Sequence, residues 1–166
     1  MIELNQEEAE ALVIKMLNKL YRRDAFLLQK KLNLTERAIT HKMGVYLQQF
    51  APKNLDVDCE FNRMGKNISG EIDYTDGDYF AKTVCLSKGL VPDDDDMGSR
   101  VFPDIIVHER GKANNYIIIE VKIDWKNGKA EHDIKKLKAY KDDLKYQFAF
   151  FVQLTEKRKD VKISHI

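Results

Sequence analysis

Two segments, 101–108 and 116–123, constrain this chain more than any other part of it. Both are nearly continuous runs of Ile, Val, Phe and Tyr, and within them charge appears only at Asp104, Glu120 and Lys122. β-Branched and aromatic runs of this length predict strands, Val101 to His108 and Tyr116 to Ile123, and the polar ERGKANN between them predicts a turn. Strands apolar at successive positions have two faces to bury, so they call for cover on both sides rather than one. If the turn is centred near Lys112, opposed residue numbers add to a constant and Asp104 falls across from Glu120. Opposed Cβ atoms lie roughly 4.5 to 5.5 Å apart, close enough for two carboxylates to share a cation. Alternation along the strand puts Glu120 and Lys122 on one face and Ile119, Val121 and Ile123 on the other. Charges inside core-type strands are costly unless they have a partner or a use.

The rest of the chain supplies the cover. Ala9, Leu12, Val13, Met16, Leu17 and Leu20 recur at three- and four-residue steps and predict a packing helix from about Gln6 to Arg22. A second helix is expected from Thr35 to Phe50, stopped by Pro52. From Asp56 to Met64 the period becomes two, which predicts a strand with Val57, Cys59 and Phe61 on one face and Asp58 and Glu60 on the other. Residues 65–100 are rich in Gly, Asp and Ser and read as an insertion, within which 79–86 has strand character and Asp93 to Asp96 forms a solvated acidic loop. A helix from about Ala130 to Leu144, an aromatic strand from Gln147 to Leu154 and a short strand near Val161 to Ile163 complete the chain. The order helix, strand, strand, strand, helix, strand implies an α/β arrangement, with helices flanking a mixed central sheet and one extra N-terminal helix within residues 1–30.

At 166 residues the chain has the size of a single domain. The acidic start lacks the positive region of a secretory signal. No uncharged apolar run approaches the ~20 residues of a membrane span. These features point to a cytoplasmic protein with no membrane partner. Cys59 and Cys85 have no metal-binding spacing, and neither His41 nor His108 has a ligand partner. The absence of GxxxxGK[ST] and GxGxxG argues against an ATPase or dinucleotide enzyme. A formal charge of +1 gives no sign of a polyanionic partner. The lysines at 126, 129, 135, 136, 138, 141 and 145 either meet phosphates or form a solvated face.

Two close carboxylates repel, and one takes up a proton unless a cation lies between them. Mg²⁺ is satisfied by one or two carboxylates, with waters and substrate phosphate completing its shell. Beside such an ion a lysine can orient or deprotonate water, or neutralise charge developing on a phosphate. These are the needs of phosphodiester hydrolysis.

Val101-Phe102-Pro103-Asp104-Ile105-Ile106-Val107 followed by Ile118-Ile119-Glu120-Val121-Lys122 resembles the signature of the PD-(D/E)xK, or restriction-endonuclease-like, nucleases. The resemblance spans roughly Thr35 to Leu154. It implies an αβββαβ core, Mg²⁺ or Mn²⁺ at Asp104, Glu120 and Val121, a catalytic Lys122, DNA as substrate and, for cutting two strands, a homodimer. It also implies a site role for Glu36 on the preceding helix and for Asp133 and Lys136 on the following one. Glu36, three residues after Asn33, equally fits a capping box. Glu60 faces either the site or solvent. Arg37, Arg63 and Arg100 are either phosphate clamps or surface ion-pair partners. The alternative to a nuclease is a non-catalytic nucleic-acid-binding or protein-interaction module on the same fold, or a subunit in which the charges form a structural network.

Overall fold

The computed structural model describes residues 4–61, 63–65, 79–81, 83–84, 99–100, 102–112, 114–126 and 130–166. Helix α1, Gln6–Asp24, begins with a capping box in which the Asn5 side chain accepts from the Glu8 N–H and the Glu8 carboxylate accepts from the Asn5 N–H. Its predicted apolar stripe, Ala9 to Leu20, is buried throughout. Helix α2 is Glu36–Gln48, capped by Thr35, whose hydroxyl accepts from the Ala38 N–H. Asn33 instead ends a short 3₁₀ turn in the left-handed conformation, so the capping box expected at Glu36 does not form.

A five-stranded sheet carries the core. Its strands are β1 (Asp56–Asp58), β6 (Ile105–His108), β7 (Asn115–Ile123), β8 (Phe148–Leu154) and β9 (Lys162–His165), in that order across the sheet. The pairings are antiparallel except for β7 with β8, which run parallel. Parallel neighbours need a crossover, and helix α3, Ala130–Leu144, provides it. The backbones of β2 (Arg63–Gly65) with β3 (Tyr79–Ala81), and of β4 (Thr83–Val84) with β5 (Ser99–Arg100), form two small antiparallel pairs. The remainder of the 65–100 insertion, including Cys85 and the acidic run, lies outside the described residues. Among the described residues no helix is long and apolar enough to cross a membrane.

The sheet is covered on both faces. Ile105, Val107, Ile117, Ile119, Val121, Ile123, Phe150 and Val152 pack with the buried stripes of α1 and α2. Ile106, Ile118, Ala149 and Phe151 pack with Leu137, Tyr140 and Leu144 of α3. Each fully buried Ile or Leu side chain stabilises by about 2 to 3 kcal/mol against exposure. β7 lies central enough to be buried along nearly all its length.

Two strands are shorter than their sequences suggest. The strand expected over Asp56 to Met64 ends at Asp58, and Glu60 then turns with φ 52. Val57 and Cys59 consequently pack on the α1/α2 side, while Phe61 joins the α3 side. The strand expected from Val101 starts at Ile105, because Pro103 has no N–H for a ladder and its carbonyl is taken by the Glu60 N–H at 2.9 Å. Between β6 and β7 the pairs Ile105↔Ile119, Ile106↔Ile118 and Val107↔Ile117 keep the register read from the sequence. A bulge after Val107 then shifts His108 onto Asn115, and Gly111 closes the turn at φ 80.

Candidate active site

One step beyond Ile105↔Ile119, the sheet register sets Asp104 opposite Glu120, on the face covered by α3. Asp104 sits in a bend before β6, and its Oδ2 accepts the Val121 N–H at 2.7 Å. Glu120 is 3% exposed on β7, its Oε2 accepting from Lys136 Nζ at 2.8 Å. Lys122, two residues on, stands between Glu36 Oε1 and Asp133 Oδ2, each 3.8 Å from its Nζ. Glu36 occupies the first turn of α2, where it also accepts the Ile123 N–H at 3.3 Å. Asp133 and Lys136 share a face of α3 and lie 3.8 Å apart.

These side chains line one open cleft of about 450 Å³. Its mouth carries Arg37, whose Nε lies 2.7 Å from Glu60 Oε1. Thus Glu60 reaches the cleft, but from a turn rather than from a strand face shared with Asp58. Asp58 points elsewhere, its Oδ2 2.8 Å from His108 Nε2 and its Oδ1 2.6 Å from Arg110 Nη2. Lys126 also lines the cleft and donates to the Leu34 carbonyl. Val121 contributes backbone only, its side chain being buried in the opposite core. Lys136 donates to Glu120. The side chains of Arg63 and Arg100 lie outside the described residues.

The lining carries five carboxylates, Glu36, Glu60, Asp104, Glu120 and Asp133, against four cations, Arg37, Lys122, Lys126 and Lys136. Arg37 and Glu60 pair with each other, and the lining as a whole carries a formal excess of one negative charge. Burial first, and then the neighbouring Asp104 charge, push Glu120 up to about 8 against the opposing pull of Lys136. Burial likewise raises Asp104 to about 6, although the Val121 N–H and Lys136 hold it down and Glu36 and Asp133 push it further up. Burial alone would lower Lys136, yet the charge and hydrogen bond of Glu120 together with the Asp133 and Asp104 charges outweigh it, and the ammonium is held above its ordinary value.

Tyr140 was not anticipated as part of this region. It lies seven residues after Asp133 and four after Lys136, on the same side of α3, so helical spacing is the signal that would have found it. Its hydroxyl is raised first by burial and then by the Glu120 charge. Neither that hydroxyl nor Glu120 Oε1 completes a hydrogen bond of ordinary geometry, although both are buried.

Among the described residues no three acid, histidine or cysteine side chains are gathered as a metal cage. The buried Glu120 and half-buried Asp104 carboxyl groups nevertheless match the small protein share of a Mg²⁺ or Mn²⁺ shell. The same donors do not match the nitrogen- and sulfur-rich set that zinc favours. Comparison with protein families, with curated proteins and with solved structures finds no match to this chain.

Proposed function

We propose that the chain is a metal-dependent nuclease of the PD-(D/E)xK type, hydrolysing phosphodiester bonds of DNA. The observation that carries this reading is one cleft that gathers the carboxyl groups of Asp104 and Glu120 with the ammonium group of Lys122. The order α2, β1, β6, β7, α3, β8 supports it, being helix, three strands, helix, strand once the small strand pairs are set aside.

Asp104 and Glu120 would hold Mg²⁺ or Mn²⁺. When bound, the ion supplies Lewis-acid polarisation of the phosphoryl oxygen and a water of lowered pKa. Lys122 is held between Glu36 and Asp133, at a distance from each that leaves its protons available to an attacking water or a phosphoryl oxygen. Lys136 fixes the Glu120 carboxylate through Oε2, and Oε1 is buried beside the Tyr140 hydroxyl. Glu36, tied to β7 through the Ile123 N–H, positions Lys122 rather than touching substrate.

A second reading, in which the charges form a structural network on a non-catalytic module, draws support from the internal donors already bound to Asp104 Oδ2 and Glu120 Oε2. One experiment separates the two. Duplex, single-stranded and branched DNA are incubated with the protein and Mg²⁺ or Mn²⁺, wild type beside Lys122→Ala, with calorimetric metal titration in parallel. The nuclease cuts and loses cutting in the variant, and Glu120→Ala loses metal binding. Equal products from both proteins, or no heat of metal binding, would reject it.

A further inference from the structure

Phe102 is 56% exposed and belongs to neither core cluster. An exposed ring forgoes the stabilisation that burying its apolar area would give. The residue after it, Pro103, is buried, and the next, Asp104, enters the cleft. Two residues of chain span at most about 7 Å between Cα atoms, so Phe102 is anchored within that distance of a residue that lines the cleft. The segment is fastened there, since the Pro103 carbonyl accepts the Glu60 N–H at 2.9 Å. Glu60 holds a left-handed φ of 52, unfavourable for a residue with a side chain, and from that turn its carboxylate meets Arg37, whose side chain is 81% exposed. An exposed aromatic ring and an exposed guanidinium that lines the cleft are therefore linked through one strained turn, close in the chain to the carboxylates read above as the phosphate-cleaving site.

This combination has a chemical counterpart. A base that has left its stack offers a π-face to a phenyl ring, and its flanking phosphate offers oxygens to a guanidinium. A base within a duplex is covered on both faces and offers no such surface. The geometry points to a substrate whose base beside the scissile phosphate is unstacked: single-stranded DNA, or the single-stranded arm of a branched molecule. On engagement Arg37 exchanges the Glu60 carboxylate for a phosphate, while Phe102 carries the base. The inference rests on the nuclease reading of Asp104, Glu120 and Lys122, and deepens it to a substrate class.

The test measures binding without metal, so that it does not depend on cleavage. Fluorescence anisotropy of a labelled single-stranded 12-mer and of its duplex is compared for wild type, Phe102→Ala and Phe102→Trp. The exposed position makes both variants expected to fold, which their melting temperatures verify. Wild type should prefer the single strand. Phe102→Ala should lose about tenfold in single-strand affinity with little change for duplex, as expected for one lost base–aromatic contact. Phe102→Trp should retain the preference, and its added indole fluorescence should be quenched by the single strand. Equal affinity for both DNAs, an unchanged Phe102→Ala, or an indole unaffected by saturating DNA would overturn the inference. Self-association of wild type lost in Phe102→Ala, without a change in DNA binding, would assign the ring to a second copy of the chain and overturn it equally. If Lys122→Ala abolishes cleavage while Phe102→Ala binds normally, only this inference fails. If the ring binds single strands but no DNA is cut, only the nuclease reading fails.

Discussion

Replacing Glu120 by Gln should stabilise the metal-free protein at alkaline pH. Burial and the Asp104 charge raise Glu120 from 4.5 to about 8, so the folded chain keeps a proton that the unfolded chain releases on passing pH 4.5. The folded state then binds more protons throughout that window, and stability must fall as pH rises through it, levelling off above about pH 8. At about 1.4 kcal/mol per unit of pKa, the whole loss amounts to about 5 kcal/mol, a large part of the stability of an ordinary domain. The amide of Gln keeps the shape of the side chain and has no charge to desolvate. It leaves Lys136 without its 2.8 Å carboxylate partner, however, with only Asp133 at 3.8 Å. We therefore expect a net gain of about 2 to 3 kcal/mol at pH 9, or roughly 5 to 10 °C in melting temperature for a domain of this size. Below about pH 4, where Glu120 is largely protonated in both states, the advantage should vanish or reverse. The assay is thermal unfolding by circular dichroism between about pH 4 and 9 in EDTA, then with Mg²⁺. Added Mg²⁺ should raise the wild-type melting temperature at pH 8 and leave that of Glu120→Gln unmoved. A wild-type stability that is flat from pH 5 to 9, or a Glu120→Gln protein weaker than wild type at pH 9, would refute the account of the buried acid.

Other perturbations follow from local geometry. A Cβ at Gly44 would lie 2.6 Å from Cys59 Sγ; Gly44→Ala should cost about 1 kcal/mol net in urea unfolding, overpacking exceeding the gain in helix propensity, and Cys59→Ala in the same chain should remove the cost. Burial alone would raise Asp58, but hydrogen bonds from His108 and Arg110 outweigh it and hold the carboxylate at about 2, below its usual 3.8. Its stabilisation is therefore complete above pH 4 and lost as pH falls toward 2. After allowing for solvent screening, Asp58→Asn should cost about 1 kcal/mol at pH 6 and almost nothing at pH 2, read from denaturant midpoints. Asn5→Ala removes one side of the α1 capping box and should cost about 1 kcal/mol at any pH from 5 to 8, measured the same way.

Much of the site was legible because its spacing is short and strand geometry is strict. A period of two puts Glu120 and Lys122 on one face, and a hairpin of nearly fixed register brings Asp104 opposite Glu120. Asp133 and Lys136 were legible as neighbours on a helix. The strand boundaries at Asp58 and Ile105 were less so, since the alternation at 56–64 and the apolar run from Val101 both continue past the point where pairing stops. At Ile105 the stop comes from Pro103, which has no N–H to pair, and after Asp58 the chain enters a left-handed turn at Glu60 whose N–H meets the Pro103 carbonyl, a contact between segments more than forty residues apart.

By itself the sequence determined that two apolar strands must be covered on both sides and that three charges share one of their faces, because those facts follow from local periodicity. Only the tertiary structure decided which partners those charges have. Lys136 meets Glu120, Lys122 is divided between Glu36 of α2 and Asp133 of α3, and Glu60 turns back to meet Arg37. Such pairings depend on how helices from opposite sides of the sheet approach its edge, and on how deeply each charge is desolvated there. Those are distances set by packing across the whole chain, which no local pattern encodes.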